Sequence, residues 1–178
     1  MAMFPENTDA DVNAMLDHLE IPKGDGQKQF VFQSNAAEAK GVKHPFPTPC
    51  SVFDAVKRFV DLSGSVSKKT LKSFAGYCLD PKEKERMLKI AASKDLLASE
   101  ITSKQIGLQH VLSKMFPSCK PPLAAFVQNS QRIMPRYYTI ASSNKAWPEL
   151  IRIAISLTIN KVGDKTVLGF NSQFLENA

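Results

Sequence analysis

Residues 151–159 read Ile-Arg-Ile-Ala-Ile-Ser-Leu-Thr-Ile, with an apolar residue at every second position. Since successive side chains of a strand point to opposite faces, this two-residue period predicts a β-strand with one face in a core. Residues 160–164, Asn-Lys-Val-Gly-Asp, are typical of a turn, and residues 165–168 can pair back across it. A further strand is predicted at 136–140. The C-terminal part of the chain is therefore predicted to be antiparallel β-structure.

Residues 51–130 instead carry apolar residues at helical spacing. Ser51 followed by Asp54 resembles a capping box and predicts a helix start. Asp80 offers a cap before Pro81 at the first helical position, which predicts a second start. A further helix is predicted over 103–116, and a short one after Pro121. The apolar stripes predicted for the other helices of this region are Val52, Val56, Phe59 and Val60; Leu71, Phe74, Ala75, Cys78 and Leu79; Met87, Leu88 and Ala91; and Phe126 with Val127.

The N-terminal region predicts one helix, one short strand and a rigid connector. Asn7 or Thr8 can cap the helix. Phe30 and Phe32 alternate with polar neighbours, as in a strand. Three prolines in residues 43–50, Lys-His-Pro-Phe-Pro-Thr-Pro-Cys, fix φ and predict an extended segment. The apolar face of the helix is predicted to comprise Val12, Met15, Leu16 and Leu19. Strand signals on both sides of a helical middle predict an α+β fold, an antiparallel sheet or barrel interrupted by a helical insertion.

Composition argues against several classes of protein. The chain has 178 residues, enough for one domain with a core, and its apolar runs fall short of the ~20 residues of a membrane-spanning helix. No targeting segment is visible in residues 1–7. The three cysteines, Cys50, Cys78 and Cys119, are odd in number and form no Cys-x-x-Cys pair. This argues against a disulfide framework and a zinc site, and a reducing compartment is expected.

The formal net charge of +6 would permit a polyanionic partner. The lysines are dispersed, however, and the mixed-sign run 82–86, Lys-Glu-Lys-Glu-Arg, is typical of a solvated helix face. Ordinary solubilising charge is the favoured interpretation, and no nucleic-acid partner is expected. A basic helical module that binds nucleic acid or an acidic protein stays open as a second hypothesis.

Other reactive side chains predict no site of their own. His18, His44 and His110 have neither metal-ligand spacing nor a neighbouring acid and nucleophile, so structural roles are expected. Cys78 is expected in the core, and Trp147 in a loop, where it can pack or lie over a ligand.

Residues 136–143, Arg-Tyr-Tyr-Thr-Ile-Ala-Ser-Ser, gather a cation, two aromatic rings and several hydroxyls on one strand and the turn that leaves it. That set suits a ligand that carries both phosphate and an aromatic ring. The same residues are also good strand formers, so the residues alone leave both interpretations open.

The pattern Arg-x-Tyr-[Ser/Thr] followed by Ile-Ala-Ser-Ser resembles the flavin signature of the ferredoxin-reductase-like superfamily, in its NADPH-dependent diflavin reductase branch. Three other segments resemble that branch in the same order: 4–7, Phe-Pro-Glu-Asn; 44–47, His-Pro-Phe-Pro; and 116–123, Phe-Pro-Ser-Cys-Lys-Pro-Pro-Leu. The resemblance implies an FAD-binding antiparallel barrel with an inserted helical connecting domain. The implied divisions are 1–45 for the N-terminal part of the barrel, 46–130 for the connecting insertion, and 131–178 for further barrel strands and the start of a pyrophosphate-binding helix.

The resemblance also implies roles for individual residues. Arg136 would pair with the FAD pyrophosphate, and Tyr138 would stack on the isoalloxazine ring beside Tyr137. Thr139 would place its hydroxyl near the flavin N5 as the catalytic residue, where most of the family has Ser. Backbone at Ala154, Ile155 and Ser156 would line the flavin, and a helix-opening turn would offer amides to the pyrophosphate. That turn comprises Gly169, Phe170, Asn171 and Ser172, of which Phe170 and Asn171 are bulkier than the family's usual residues.

The activity implied by the resemblance is electron transfer from NADPH through FAD to FMN, and then to a haem protein or a similar acceptor. The NADPH-cytochrome (haemoprotein) reductase type matches best in the length and motif order of the insertion. The FMN and NADPH-binding domains of such a parent lie outside this chain, which alone is not expected to be catalytic. A cytoplasmic location is expected, including the endoplasmic reticulum surface through an anchor outside this chain. A third hypothesis is a dimer that pairs exposed barrel edges of two copies and has an empty flavin site.

Overall fold

The structure is a computed structural model that describes residues 1–22, 24–31, 46–162 and 165–176. The described helices are α1 Asp9–His18, α2 Val52–Phe59, α3 Lys68–Ala75, α4 Pro81–Ala92, α5 Lys94–Leu97, α6 Leu108–His110, α7 Leu123–Asn129 and α8 Phe170–Glu176, with π-helical segments at Ala98–Thr102 and Val111–Met115. The described strands are β1 Ala2–Met3, β2 Gln29–Phe30, β3 Cys50–Ser51, β4 Arg136–Tyr137, β5 Ile159–Val162 and β6 Lys165–Leu168.

The chain divides into two compact units. The first comprises residues 1–6 and 133–178, and the second comprises residues 7–132. Helix α1 therefore lies in the same compact unit as the helical middle of the chain.

The helical unit is built around one apolar core. Its largest fully buried side chains are Phe74, Phe116, Phe126, Met15, Leu62, Leu71, Met87, Ile90, Ile101, Leu112, Val12 and Val56. The predicted caps form: the Ser51 hydroxyl accepts a hydrogen bond from the Asp54 amide at 3.0 Å, and the Asp80 carboxylate accepts from the Lys82 amide at 2.8 Å. These caps satisfy amides that have no partner within the helix, so α2 and α4 begin where the sequence predicts.

Asn7 and Thr8 divide the roles that the sequence assigns to either one. Thr8 caps α1 by accepting from the Asp11 amide at 3.1 Å. Asn7 is buried, and its amide group donates to Val56 O at 2.9 Å and to Val60 O at 2.6 Å. Asn7 therefore satisfies carbonyls at the end of α2, which the helix itself leaves unpaired.

The predicted helix over 103–116 is wrong at its start. Helical structure resumes only at Leu108, after Gln105 with a φ of 51° and an extended Gly107. A Cβ at Gly107 would lie 2.7 Å from the backbone of Ser63, so the chain passes too close there for another residue type. The prediction that Leu79 belongs to the apolar stripe of α3 is also wrong, because α3 ends at Ala75 and leaves Leu79 79% exposed.

Among the described residues, strands form three separate two-stranded antiparallel sheets: β1 with β4, β2 with β3, and β5 with β6. The mixed α and β composition is confirmed, and the described strands close no barrel. The predicted hairpin is confirmed, since Ile159 pairs with Leu168 and Val162 with Lys165. The strand β5 runs to Val162, so the predicted turn narrows to residues that lie outside the described ones, as do Phe32 and His44.

The predicted strand over 151–159 is wrong as a continuous element. Only Ile153 forms an isolated bridge, to Ile140, before β5 begins at Ile159. Its apolar face is not in a core either: Ile151 is 63% exposed and Leu157 is 43% exposed. No layer in the described part of this unit covers that face, so the alternating pattern lacks the packing that would order it into a strand.

No described helix combines the length and apolar character needed to cross a bilayer.

Candidate functional site

The predicted flavin motif begins on β4, in the first unit. Ala2 pairs with Tyr137 and Met3 with Arg136. The pairing extends one residue further, because the Tyr138 amide donates to Met1 O at 2.9 Å and the Met1 ammonium donates to Tyr138 O at 2.8 Å. Both backbone polar groups of Tyr138 are therefore bonded to Met1, although β4 itself is only two residues long.

The Tyr138 side chain is half-buried and contacts a second predicted segment. The side-chain amide of Asn171 donates a hydrogen bond to the Tyr138 hydroxyl. This contact joins residues 33 positions apart in sequence. The predicted ring-stacking residue and the predicted pyrophosphate turn are thus brought together by their side chains.

The turn 169–172 is held against Thr158. The Gly169 amide donates to Thr158 O at 2.8 Å, and the Ser172 hydroxyl accepts from the Thr158 amide at 2.7 Å. A Cβ on Gly169 would lie 3.2 Å from the Thr158 Cβ, so glycine permits this close approach. Helix α8 starts at Phe170, and its first-turn amides have no partner within the helix.

Arg136 and Thr139 are exposed, as is Tyr137 at 79%. The Arg136 guanidinium donates a long 3.4 Å hydrogen bond to Met134 O, and within the described ranges it takes part in no ion pair. Its charge is therefore available to an anion. The described contacts do not link Arg136 or Thr139 to the turn at 169–172.

The predicted flavin-lining backbone, Ala154, Ile155 and Ser156, is exposed and lies outside any described strand. It follows the Ile140–Ile153 bridge, where the Ala141 amide donates to Arg152 O at 2.8 Å. This bridge holds the end of the flavin motif beside residues 152–153 and leaves the three lining residues as open chain.

Ser142 adds side-chain hydrogen bonds beside this bridge. Its hydroxyl donates to Leu150 O at 3.1 Å and accepts from the Arg152 amide at 3.0 Å. Arg152 also places its guanidinium 4.8 Å from the centre of the Trp147 ring, a cation–π contact. The sequence predicts Trp147 as a loop residue but gives no role to Arg152, because no local spacing links the two.

The side chains fit the chemistry of FAD. One end of the Asn171 amide is bonded to Tyr138, and the other end is buried without a hydrogen-bond partner among the described residues. A buried polar atom of this kind is unfavourable unless a ligand or water pairs with it. Arg136 supplies a cation for phosphate, Tyr138 an aromatic ring, and Thr139 and Ser142 hydroxyls.

Other chemistry has less support. No group of His, Cys, Asp and Glu in the described ranges is arranged to hold a metal ion. A cleft of about 490 Å³ lies in the helical unit between Asp17 and Phe53, and no predicted cofactor residue lines it. His18 has the structural role that the sequence predicts, since its Nε2 donates to Cys119 O at 2.9 Å.

Comparison with known proteins identifies the family. The FAD binding domain family matches residues 1–174. The chain is 31% identical over 159 residues to the NADPH–cytochrome P450 reductase of Oryctolagus cuniculus, covering 86% of this chain and 22% of that protein. It is 30% identical over 157 residues to the human enzyme of the same name, with the same coverage, and 25% identical over 181 residues to that of Candida maltosa, covering 99% and 26%.

The chain spans about a fifth to a quarter of the length of these relatives. The match runs through the flavin motif at 136–143 and the turn at 169–172. The chain belongs to the FAD-binding domain family, as part of the FAD-binding region of a diflavin reductase.

Proposed function

We propose that this chain is the FAD-binding part of an NADPH-dependent diflavin reductase of the cytochrome (haemoprotein) type, which passes electrons from NADPH through FAD to FMN and on to a haem protein. The observation that carries the proposal is the family match over residues 1–174, together with the contact between Tyr138 and Asn171. When bound, FAD supplies hydride acceptance and single-electron release.

Each residue has a specific task in this proposal. Tyr138 offers its ring for stacking, and its hydrogen bond to Asn171 limits rotation of that ring. Arg136 holds the pyrophosphate with its permanently charged fork. Thr139 places a hydroxyl beside the reacting edge of the flavin. The first-turn amides of α8 and the unpaired end of the Asn171 amide complete the donor and acceptor set.

The family's barrel supplies the setting for these residues. The exposed isoleucines at 151, 155 and 159 support this part of the proposal, because an alternating apolar face gains stability only when another layer covers it. The residues at 154–156 would then take up strand structure along the flavin. The proposed connecting insertion, 46–130, lies within the helical unit at 7–132.

The parent enzyme's partners belong to the same proposal. The FMN-binding and NADPH-binding domains would be parts of the same longer chain, and the final acceptor would be a haem protein. In this proposal hydride transfer needs FAD together with the NADPH-binding domain, so the FAD-binding part alone should not turn over NADPH.

The test is a titration of FAD with the 178-residue protein, in which binding is measured by the quenching of flavin fluorescence. Tyr138→Ala should weaken binding by about 5- to 150-fold, which corresponds to the ~1–3 kcal/mol of a ring–base stack. Tyr138→Phe is the matched control: it keeps the ring, loses the bond to Asn171, and should stay within about threefold of the unmodified protein.

Two outcomes would overturn this assignment. One is flavin binding that Tyr138→Ala leaves unchanged, which would place the ring elsewhere. The other is tight binding of a polyanion with a steep salt dependence and no flavin affinity, which would favour the basic binding module.

A further inference from the structure

Cys78 and Cys119 lie directly opposite each other in the helical unit. They form an isolated antiparallel β-bridge between the end of the α3 region and the segment before α7. The Lys120 amide donates to Tyr77 O at 3.0 Å, and the Leu79 amide donates to Ser118 O at 3.2 Å. These two bonds flank the cysteines rather than join them, so the cysteines form a non-hydrogen-bonded pair, the arrangement in which opposed side chains are closest.

The backbone separation of such a pair suits a disulfide. Opposed residues at non-hydrogen-bonded positions have Cα atoms about 4.5 Å apart, within the range of about 4.4–6.8 Å seen for disulfide-bonded cysteines. The Cys119 thiol donates to Phe74 O at 3.3 Å, which holds that sulfur in the core.

Neighbouring bonds fix the two backbone segments in place. The Glu83 carboxylate accepts from the Ser118 amide at 2.9 Å and from the Ser118 hydroxyl at 2.7 Å. The same hydroxyl accepts from the Asp80 amide at 3.1 Å. Closing the bridge therefore requires rotation of side chains and little movement of backbone, which is the condition for an unstrained disulfide.

We propose that Cys78 and Cys119 are a redox-active dithiol that hydrogen peroxide converts to a reversible intramolecular disulfide. Both are free thiols in this structure. The odd cysteine count and wide spacing predict no disulfide framework, but neither feature reports which cysteines the fold brings together.

The solvent exposure of the two thiols determines which one reacts first. Cys78 is half-buried and Cys119 is fully buried, so peroxide reaches Cys78 first. The Cys78 sulfur attacks one peroxide oxygen, the O–O bond breaks, and the sulfur becomes a sulfenic acid while one water forms. The Cys119 sulfur then attacks the Cys78 sulfur, and the departing hydroxide takes the Cys119 proton to form a second water. Together the two thiols lose two protons and two electrons, and a dithiol reductant reverses the change.

The surroundings make this a slow pair. Burial raises the pKa of the Cys78 thiol, and the nearby carboxylates of Glu83 and Asp80 raise it further, against the opposite effect of Lys84. Burial also raises the pKa of the Cys119 thiol well above its usual range. Because the thiolate is the attacking species, the pair should stay reduced until peroxide is in excess.

The experiment is peroxide treatment of the reduced 178-residue protein, followed by alkylation, tryptic digestion without reductant and mass spectrometry. The expected result is a cross-linked pair of peptides, 73–82 with 115–132, and a loss of two hydrogens from the intact protein. Alkylation of Cys78 and Cys119 should be lost together and should return after treatment with dithiothreitol. Cys50→Ser is the matched control and should change none of these results.

Three results would overturn the proposal. These are both thiols remaining open to alkylation in excess peroxide, irreversible oxidation of Cys78 without a cross-link, or a disulfide that involves Cys50 or a second copy of the chain. The peptide map of the unmodified protein decides among them even if Cys119→Ser fails to fold. Cys78→Ser, at the more exposed position, should abolish the cross-link.

Discussion

Replacing Asn7 with alanine should destabilise the helical unit strongly, although Asn7 lies outside any helix. Asn7 is 3% exposed, and its side chain donates to Val56 O at 2.9 Å and to Val60 O at 2.6 Å. Alanine leaves both carbonyls buried without this donor, whereas the backbone bond from the Asn7 amide to Lys57 O remains. At the lower part of the ~1–3 kcal/mol range for each unpaired group, the loss is about 2–4 kcal/mol.

Urea unfolding followed by far-ultraviolet circular dichroism measures this loss. With a slope near ~2 kcal/mol per molar urea, the midpoint should fall by about 1–2 M. Asn13→Ala, on the exposed side of α1, is the control and should change the free energy of unfolding by less than about 0.5 kcal/mol. Asn7→Asp should be at least as harmful as Asn7→Ala, because it sets a carboxylate against carbonyl oxygens. Equal midpoints for Asn7→Ala and Asn13→Ala would refute the reasoning, since water would then be replacing the lost bonds.

Gly107→Ala should destabilise the protein by about 1–3 kcal/mol in the same urea assay, because the added Cβ would lie 2.7 Å from the backbone of Ser63. Gly24→Ala, which has no atom within 4 Å of the added carbon, should be neutral, and similar losses for the two variants would contradict the steric explanation. Burial lowers the pKa of His18 below its ordinary 6.5, so the unfolded chain takes up a proton at a higher pH than the folded chain. The resulting stability is present above pH 6.5 and is lost as the pH falls through the pKa of folded His18. The variant His18→Gln should flatten this decline in the free energy of unfolding, whereas His110→Gln, at an exposed position, is the control and should not. Identical pH profiles for the unmodified protein and both variants would contradict the role of His18.

Helix starts were predictable because their causes are local. Ser51 with Asp54, and Asp80 with Pro81, place a cap, a first-turn partner or a proline within four residues, and each starts a helix in the structure. The start predicted at Ser103 fails for a reason that lies elsewhere in the chain. The close approach of Gly107 to Ser63 is a tertiary contact, and the spacing of apolar residues after 103 cannot predict it.

The strand at 151–159 shows a different limit of sequence patterns. Alternation identifies which side chains would share a face, and Ile151, Ile155 and Ile159 do alternate with polar residues. It does not supply the layer that buries them, and in the described structure they are exposed. Residues 159–162 form a strand because 165–168 pair with them, so pairing rather than pattern decides which part is ordered.

The candidate site divides along the same line. The signature at 136–143 can be identified from residue order alone, and so can the glycine at the turn. The contact between Tyr138 and Asn171 cannot, because it joins two segments that only the fold brings together. It gives a physical reason for the residue at 171, which is larger than the family's usual choice: a small side chain there could not reach the Tyr138 hydroxyl. One end of the Asn171 amide is buried and has no partner among the described residues, so in the proposed FAD site this residue would offer an additional polar group.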